Sequence, residues 1–248
     1  IGQRDRLVKG YLYGGRYFDQ MMDIFEDHKV PKELTRLPLI ESGFNMEARS
    51  HVGASGIWQF MKDTGKRFMR IDNAIDERYD PIAASKAAAS FLRANYNKLG
   101  SWPLAITAYN HGPAGMANAV RETGSSDISH IIQHYEGRAF GFASSNFYAE
   151  FLAILEIERE YRKHFGKLRV DPPIKYRHLQ LPSSTRFSEI ARACGINAET
   201  LWDYNPALTP SVIRGVYPVP KGYTIKFPAN RSLRCKGKLV LAKYKPAE

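Results

Sequence analysis

Glu41-Ser42-Gly43-Phe44-Asn45, followed by Ser50-His51-Val52-Gly53-Ala54-Ser55-Gly56-Ile57-Trp58-Gln59-Phe60-Met61, is the stretch on which the reading of this chain turns. One carboxylate closes an apolar segment, and a glycine-rich, aromatic-flanked turn comes next. Pro31 to Ser42 reads as a helix with proline near its first turn, where the missing N–H costs little. Leu34, Leu37 and Glu41 stand at i, i+3 and i+7 and share one face. Glu41 thus lies on the apolar stripe, at the helix C-terminus, where the peptide dipoles disfavour an anion. Both effects raise a carboxyl pKa. A carboxylic acid held protonated near neutral pH is suited to general acid catalysis. The local pattern is also that of a terminal Glu curling into solvent. Pro38, inside the same segment, is expected to kink it.

Outward from this stretch, the first 165 or so residues read as helical. Asp80-Pro81 is an N-cap followed by proline at the first helical position, and an Ala-rich helix runs from there to Gly100. Trp102-Pro103 opens a short helix through Tyr109, Gly112-Pro113 breaks it, and another helix covers Ala114 to Arg121. Ser144 or Ser145 is placed to cap a long helix ending near Phe165-Gly166, with Phe147, Phe151 and Ile154 at i, i+4 and i+7. The composition then changes. Leu168 to Pro182 reads as extended, Phe187–Ala193 and Ala198–Asn205 as two short helices, and Gly222 to Pro228 alternates like a strand. The expected organisation is a helical domain over 1–167, then a linker, a βααβ unit over about 175–228 and a basic tail.

The 248 residues carry 36 Lys and Arg against 25 Asp and Glu, a net charge of +11. Such a charge attracts nucleic acid by default, but an anionic cell wall is an equally good electrostatic partner. Residues 171–248 hold 13 of the cations and 5 of the anions, and Arg231 to Lys245 reads as a solvated tail or edge. No apolar run reaches the ~18 residues of a membrane span. The chain opens at Ile1 with neither a charged n-region nor an apolar h-region, so any export signal or N-terminal lipid is expected to lie before it. Cys194 and Cys235 are the two cysteines; in an oxidising compartment they could pair, and spacing alone does not decide it. No His or Cys stands at ligand spacing from either, so a metal site is not expected.

The string from Glu41 to Met61, with Ala108-Tyr109-Asn110-His111-Gly112-Pro113 downstream, closely resembles the two signatures of the goose-type-lysozyme-like lytic transglycosylases. The resemblance covers about Asp27 to Leu155. It implies a mainly α, lysozyme-like helical domain that cleaves peptidoglycan glycan strands in the bacterial envelope, in the periplasm, as a monomer without nucleic acid, metal or organic cofactor. It places Glu41 as the single acid/base, Ser50 as a hydroxyl beside the acid or the sugar N-acetyl group, and Gln59 and Met61 along the sugar subsites. Tyr109 and Asn110 fall beside the scissile bond, and Tyr148 on the late helix points back at the acid. Each has a plainer reading. Met61 and Tyr148 suit a core, Ser50 suits a turn, Asn110 suits a helix end, and Trp58 and Phe60 suit packing better than sugar stacking. Four residues before Tyr148, where many relatives carry Glu, stands Ser144.

The later unit resembles a LysM module, which binds N-acetylglucosamine-containing glycans. The resemblance rests on Phe187-Ser188-Glu189-Ile190-Ala191, Gly195-Ile196, Leu201-Trp202-Asp203-Tyr204-Asn205-Pro206 and Val219-Pro220-Lys221-Gly222-Tyr223. The first strand–helix turn departs from that pattern, with Pro182-Ser183-Ser184-Thr185 in place of Gly-Asp-Thr. A structural module without a ligand is the plainer reading. Two rivals to transglycosylation stand beside it: a lysozyme-type hydrolysis on the same site, and a wall-binding scaffold without turnover.

Overall fold

The structure, a computed structural model, describes residues 3–229, 235 and 245–246. In chain order the helices are α1 (Gln3–Gly14), α2 (Phe18–Asp27), α3 (Leu37–Glu41), α4 (Lys62–Gly65), α5 (Pro81–Leu99), α6 (Trp102–His111) and α7 (Pro113–Thr123). They continue with α8 (Ile128–His134), α9 (Phe142–Arg159) and α10 (Tyr161–Phe165). Strand β1 (Tyr176–Gln180), helices α11 (Phe187–Ala193), α12 (Ala198–Asp203) and α13 (Pro210–Ile213), and strands β2 (Thr224–Pro228) and β3 (Lys245–Pro246) complete the order. The chain is mainly helical and packs as two compact units. One is Ile1–Asn45 with Ser85–Asp171, the other Met46–Ala84 with Pro172–Glu248.

The first unit is helical. Its core joins Met21 and Phe25 of α2, Leu37 and Leu39 of α3, Leu92 of α5, Leu104 and Ala108 of α6, Met116 of α7 and Phe147 and Phe151 of α9. α6 lies against α7 and α9, and α3 against α9. The punctuation follows the sequence: α5 stops at Gly100 (φ +80°), and Gly112 (φ +90°) with Pro113 separates α6 from α7. Two helices differ from expectation. The segment from Pro31 divides into a 3-10 turn (Lys32–Arg36) and α3, which puts Pro38 in the first turn of α3 rather than mid-helix. The late helix begins after Gly141 and ends at Arg159, with α10 following; Ser144 sits buried inside its first turn, its hydroxyl donated to Asn110 Oδ1 (2.9 Å) instead of capping. α8 was hidden from periodicity by its shortness; Asp127 caps it, accepting from Ser129 N (2.9 Å).

In the second unit β1 pairs antiparallel with β2, Leu179 opposite Ile225, and with β3 on its other edge, giving the order β2-β1-β3. The expected two helices between β1 and β2 are joined by a third, α13, which opens at Thr209-Pro210. Leu179, Leu181, Phe187, Ile190, Leu201, Leu208, Val212, Val219, Ile225 and Phe227 form the core, and Cys194 is bonded to Cys235. Asn205, fully buried, satisfies itself on both neighbours: it donates to Leu201 O and Lys226 O (2.8 Å each) and accepts from Lys226 N (2.8 Å). Of the basic stretch Arg231 to Lys245, all but Cys235 and Lys245 lies outside the described residues.

Ile75 belongs to the same core, far from it in sequence. Ile75 bridges Leu208, Asp76 N donates to Ala207 O (2.8 Å), and Thr209 N and Oγ1 donate to Ala74 O (3.0 Å) and Asn73 O (2.8 Å). Beside this seam Lys226 Nζ reaches Asp80 Oδ2 at 2.5 Å. Asp80 is buried and also caps α5, accepting from Ile82 N (3.0 Å) and Ala83 N (3.1 Å). Burial pushes the Asp80 carboxyl up, but the Lys226 ammonium and the two amides hold it below the usual range.

Removing one partner of a buried pair leaves an uncompensated charge, which costs about 3–5 kcal/mol. Asp80→Asn keeps the cap acceptor and removes only the charge. It is expected to lower unfolding stability by about 3 kcal/mol at pH 7 in urea titrations. Because the Asp80 pKa is depressed by folding, this contribution is present above the ordinary carboxylate range and is lost as pH falls through the folded value. The gap between wild type and variant therefore closes in acid.

Candidate active site

Glu41 is the last residue of α3, and the chain reverses directly after it. Ser42 N (3.1 Å) and Phe44 N (3.0 Å) both donate to Pro38 O. Gly43 (φ +62°) and Phe44 (φ +58°) take the left-handed conformation that completes the reversal. For Phe44 that conformation is costly. Its ring offsets the cost: it is 2% exposed, stacks on Tyr17 and stands edge-on to Phe18, at centroid separations of 6.0 and 5.4 Å. The start of α3 is pinned as well. Arg36 makes a forked contact with Glu158 of α9 (2.7–3.1 Å), and its guanidinium lies over the Phe18 ring at 4.1 Å. Leu37 and Leu39 then point into the core. Both ends of the short helix are fixed, and Glu41 is fixed with them.

The residue keeps partial solvent contact, while protein surrounds its carboxyl. Burial, with a smaller contribution from the negative charge of Glu150, pushes the Glu41 pKa up to about 8. Tyr109 of α6 lies within electrostatic reach. Burial first, and the Glu41 charge second, hold its hydroxyl well above the usual tyrosine range, so Tyr109 stays a proton-bearing donor. Its ring packs on Phe91 at 5.4 Å. Asn110, next in line, is exposed, with Oδ1 occupied by the Ser144 hydroxyl and the amide N–H groups available to a ligand. Tyr148 of α9 is half-buried against the cluster of Leu104, Ala108 and Met116. His111 is packed edge-on to Phe140 at 5.0 Å, and burial depresses its pKa.

Ser50, Gln59 and Met61 belong to the second unit, on a tight loop. Ser50 Oγ accepts from Ala54 N (2.9 Å), so the hydroxyl builds the turn and retains its proton for another acceptor. Gln59 (φ +48°) is a left-handed non-glycine, and its Nε2 donates to Gly56 O (2.7 Å). Trp58 and Phe60 are buried at 0% and 3%, which makes them packing residues. Met61 is 43% exposed and is no part of a core. Gly56 (φ +75°) cannot be replaced: a Cβ there would lie 1.8 Å from Arg78 O. Sequence reasoning missed Glu150, Arg36 and Arg78. Glu150 follows Tyr148 by two positions, and nothing in the local pattern marks it or the two arginines. Among the described residues, no group of three or more His, Cys, Asp or Glu is placed to hold a metal ion.

Residues 22–132 match the family described as Transglycosylase SLT domain. The match covers less than half of the chain. The matched stretch contains Glu41, Ser50, Gln59, Met61, Tyr109 and Asn110 and ends before Tyr148. Membrane-bound lytic murein transglycosylase D of Escherichia coli K12 is 26% identical over 188 residues, 74% of this chain and 41% of that protein. A protein of Alteromonas sp. strain M-1 named for tributyltin chloride resistance is 38% identical over 97 residues, 38% of this chain and 47% of that protein. The chain thus spans less than half the length of both relatives. Among solved structures, an inactive mutant of the lytic transglycosylase Slt from Pseudomonas aeruginosa aligns with a TM-score of 0.46 at 20% identity, over 61% of this chain and 25% of that one.

The Glu41 shift has a consequence for stability. A carboxyl whose folded pKa is raised binds a proton in the folded state that the unfolded chain has released, so stability falls as pH rises from the ordinary Glu value to about 8. Glu41→Gln removes this liability. It is expected to melt higher than the wild type at pH 8, by an amount on the order of 1 kcal/mol or more, and to match it near pH 4. Thermal melts across that range check the sign.

Proposed function

We propose that the chain is a peptidoglycan lytic transglycosylase with Glu41 as its single acid/base. The observation that carries the proposal is a carboxyl pushed up to about 8, within electrostatic reach of the Tyr109 hydroxyl, in the stretch that matches the SLT transglycosylase family. Glycosidases in general flank the scissile bond with two carboxyl groups. Here Glu41 protonates the bridging oxygen between N-acetylmuramic acid and N-acetylglucosamine, and the β-1,4 bond breaks. The carbonyl oxygen of the muramic N-acetyl group attacks the anomeric carbon and forms an oxazolinium ion. Glu41, now a carboxylate, takes the proton from the C6 hydroxyl as that oxygen closes on C1. The acetamide is released, the acid is restored, and the product ends in 1,6-anhydromuramic acid.

Within this reading Tyr109 donates a hydrogen bond toward the reacting centre, and Asn110, oriented by Ser144, offers its amide to the sugar. Tyr148 orients the acid, and Ser50, Gln59 and Met61 contact the glycan. The β1–α11–α12–α13–β2 part is read as a LysM-like module for N-acetylglucosamine-containing strands, and the setting as the periplasmic side of the bacterial envelope. No helix among the described residues is long and apolar enough to cross a membrane.

Digestion of purified peptidoglycan, with mass analysis of the soluble fragments, tests the reading. Anhydro ends, one water lighter than hydrolysis products, are expected; reducing ends would make the enzyme a hydrolase. Glu41→Gln retains shape and hydrogen-bonding reach but not the transferable proton. General acid–base catalysis is worth about 10²- to 10⁴-fold. A residue used in both steps should lose at least that much, with glycan binding retained. Because the acid acts protonated, kcat/KM of the wild type should fall as pH rises through about 8.

A further inference from the structure

Arg78 is 7% exposed, and each of its side-chain nitrogens is engaged. Nε and Nη2 fork onto Asp76 (2.9 and 2.7 Å). Nη1 donates to two backbone carbonyls, Gly53 O (3.0 Å) and Phe60 O (3.1 Å), at opposite ends of the Gly53–Phe60 turn. The Arg78 carbonyl fills the place a Cβ of Gly56 would take, and Tyr79 OH donates to Ser55 Oγ (3.3 Å). The loop also bonds to itself: Gly53 N to Ser50 O (3.0 Å), Ser55 N to Phe60 O (3.2 Å) and Gly56 N to Ala48 O (2.9 Å). A left-handed Gln59 in such a loop persists only where its surroundings over-determine it. The forked guanidinium supplies that constraint, since a lysine could not span two carbonyls and a carboxylate at once.

The other edge of the same strap, residues 72–80, is held by the C-terminal part of the chain. Asp72 Oδ1 folds it, accepting from Ala74 N and Ile75 N at 2.8 Å each. Ile75 is buried in the module core, Asp76 N is bonded to Ala207 O, Asn73 and Ala74 are bonded to Thr209, and Asp80 is paired with Lys226. Asp76 is thus shared: its amide goes to the module and its carboxylate to Arg78.

We propose that Arg78 is a positioning residue for the loop that carries Ser50, Gln59 and Met61, and that the C-terminal module acts as the clamp that sets Arg78. The module then does more than add affinity for the wall. Its docking on the strap sets the geometry of a loop that, on the reading above, contacts the glycan. The link to catalysis rests on that reading; the mechanical link does not.

Amide hydrogen exchange on the full chain separates the two. In Arg78→Lys, the amides of Gly53, Ser55, Gly56 and Gln59 are expected to exchange roughly tenfold faster or more, with those of Ala105–Ala108 in α6 unchanged. Lys226→Met, a substitution outside the loop and the strap, is expected to speed exchange in 72–80 and in the loop together. Unchanged loop exchange in a folded Arg78→Lys overturns the positioning role. Loop exchange unaffected by Lys226→Met, while the strap loosens, overturns the clamp. If Arg78→Lys does not fold, the Lys226→Met result alone decides. Neither readout needs turnover, so both stand even if the chain cleaves no glycan. Where turnover is present, Arg78→Lys should raise KM for soluble glycan strands more than it lowers kcat, and leave the alkaline limb near the Glu41 value.

Discussion

A carboxyl group kept out of water at the end of a five-residue helix is the constraint around which the first unit is built. Each pKa unit corresponds to about 1.4 kcal/mol, so a carboxyl at about 8 opposes folding appreciably at neutral pH. A helix of that length has no intrinsic stability. Its position is imposed from both sides: the Arg36–Glu158 fork and the Phe18 face before it, the Phe44 ring in its aromatic setting after it. The left-handed Gly43-Phe44 turn stores strain next to the acid, and the buried aromatic contacts offset it. Tyr109 profits from the same dry surroundings, which keep its proton in place.

The second unit solves a related problem by adding side-chain hydrogen bonds to its buried rings. Its glycine-rich loop buries Ile57, Trp58 and Phe60, and one guanidinium ties the two ends of the turn together through the carbonyls it reaches. That guanidinium is in turn held by Asp76, whose amide is bound by the module. A sequence boundary near residue 168 follows the order of the chain, whereas the packing groups Met46–Ala84 with what comes after Pro172. The βααβ elements, too small to make a large core alone, enclose Ile75 as part of theirs.

Local rules were enough for some of this. Asp80-Pro81, Gly100 and Gly112-Pro113 mark helix ends through capping and backbone freedom that neighbours cannot override, and the structure places the ends there. The face shared by Leu34, Leu37 and Glu41 was read from the spacing of one continuous helix, and the structure divides that helix before Leu37. Ser144 shows the limit: a serine near a helix start reads as a cap, yet a partner 34 residues away claimed its hydroxyl. Arg78, Arg36 and Glu150 were illegible because their roles depend on partners brought close only by folding. The pairing of Cys194 with Cys235 belongs to the same class. The split of the Pro31 segment is subtler, since Pro38 signals a break but not where the helix restarts.

The central claim concerns the protonation state of one side chain, and it can be observed without substrate. The side-chain carboxyl carbon of Glu41, assigned by comparison with Glu41→Gln in a glutamate-labelled sample, can be followed by NMR from pH 4 to 10. The account predicts a titration midpoint near 8, well separated from those of exposed glutamates. A midpoint in the ordinary carboxylate range, near 4, would mean that Glu41 is ionised at neutral pH and would contradict the proton-donor role proposed for it.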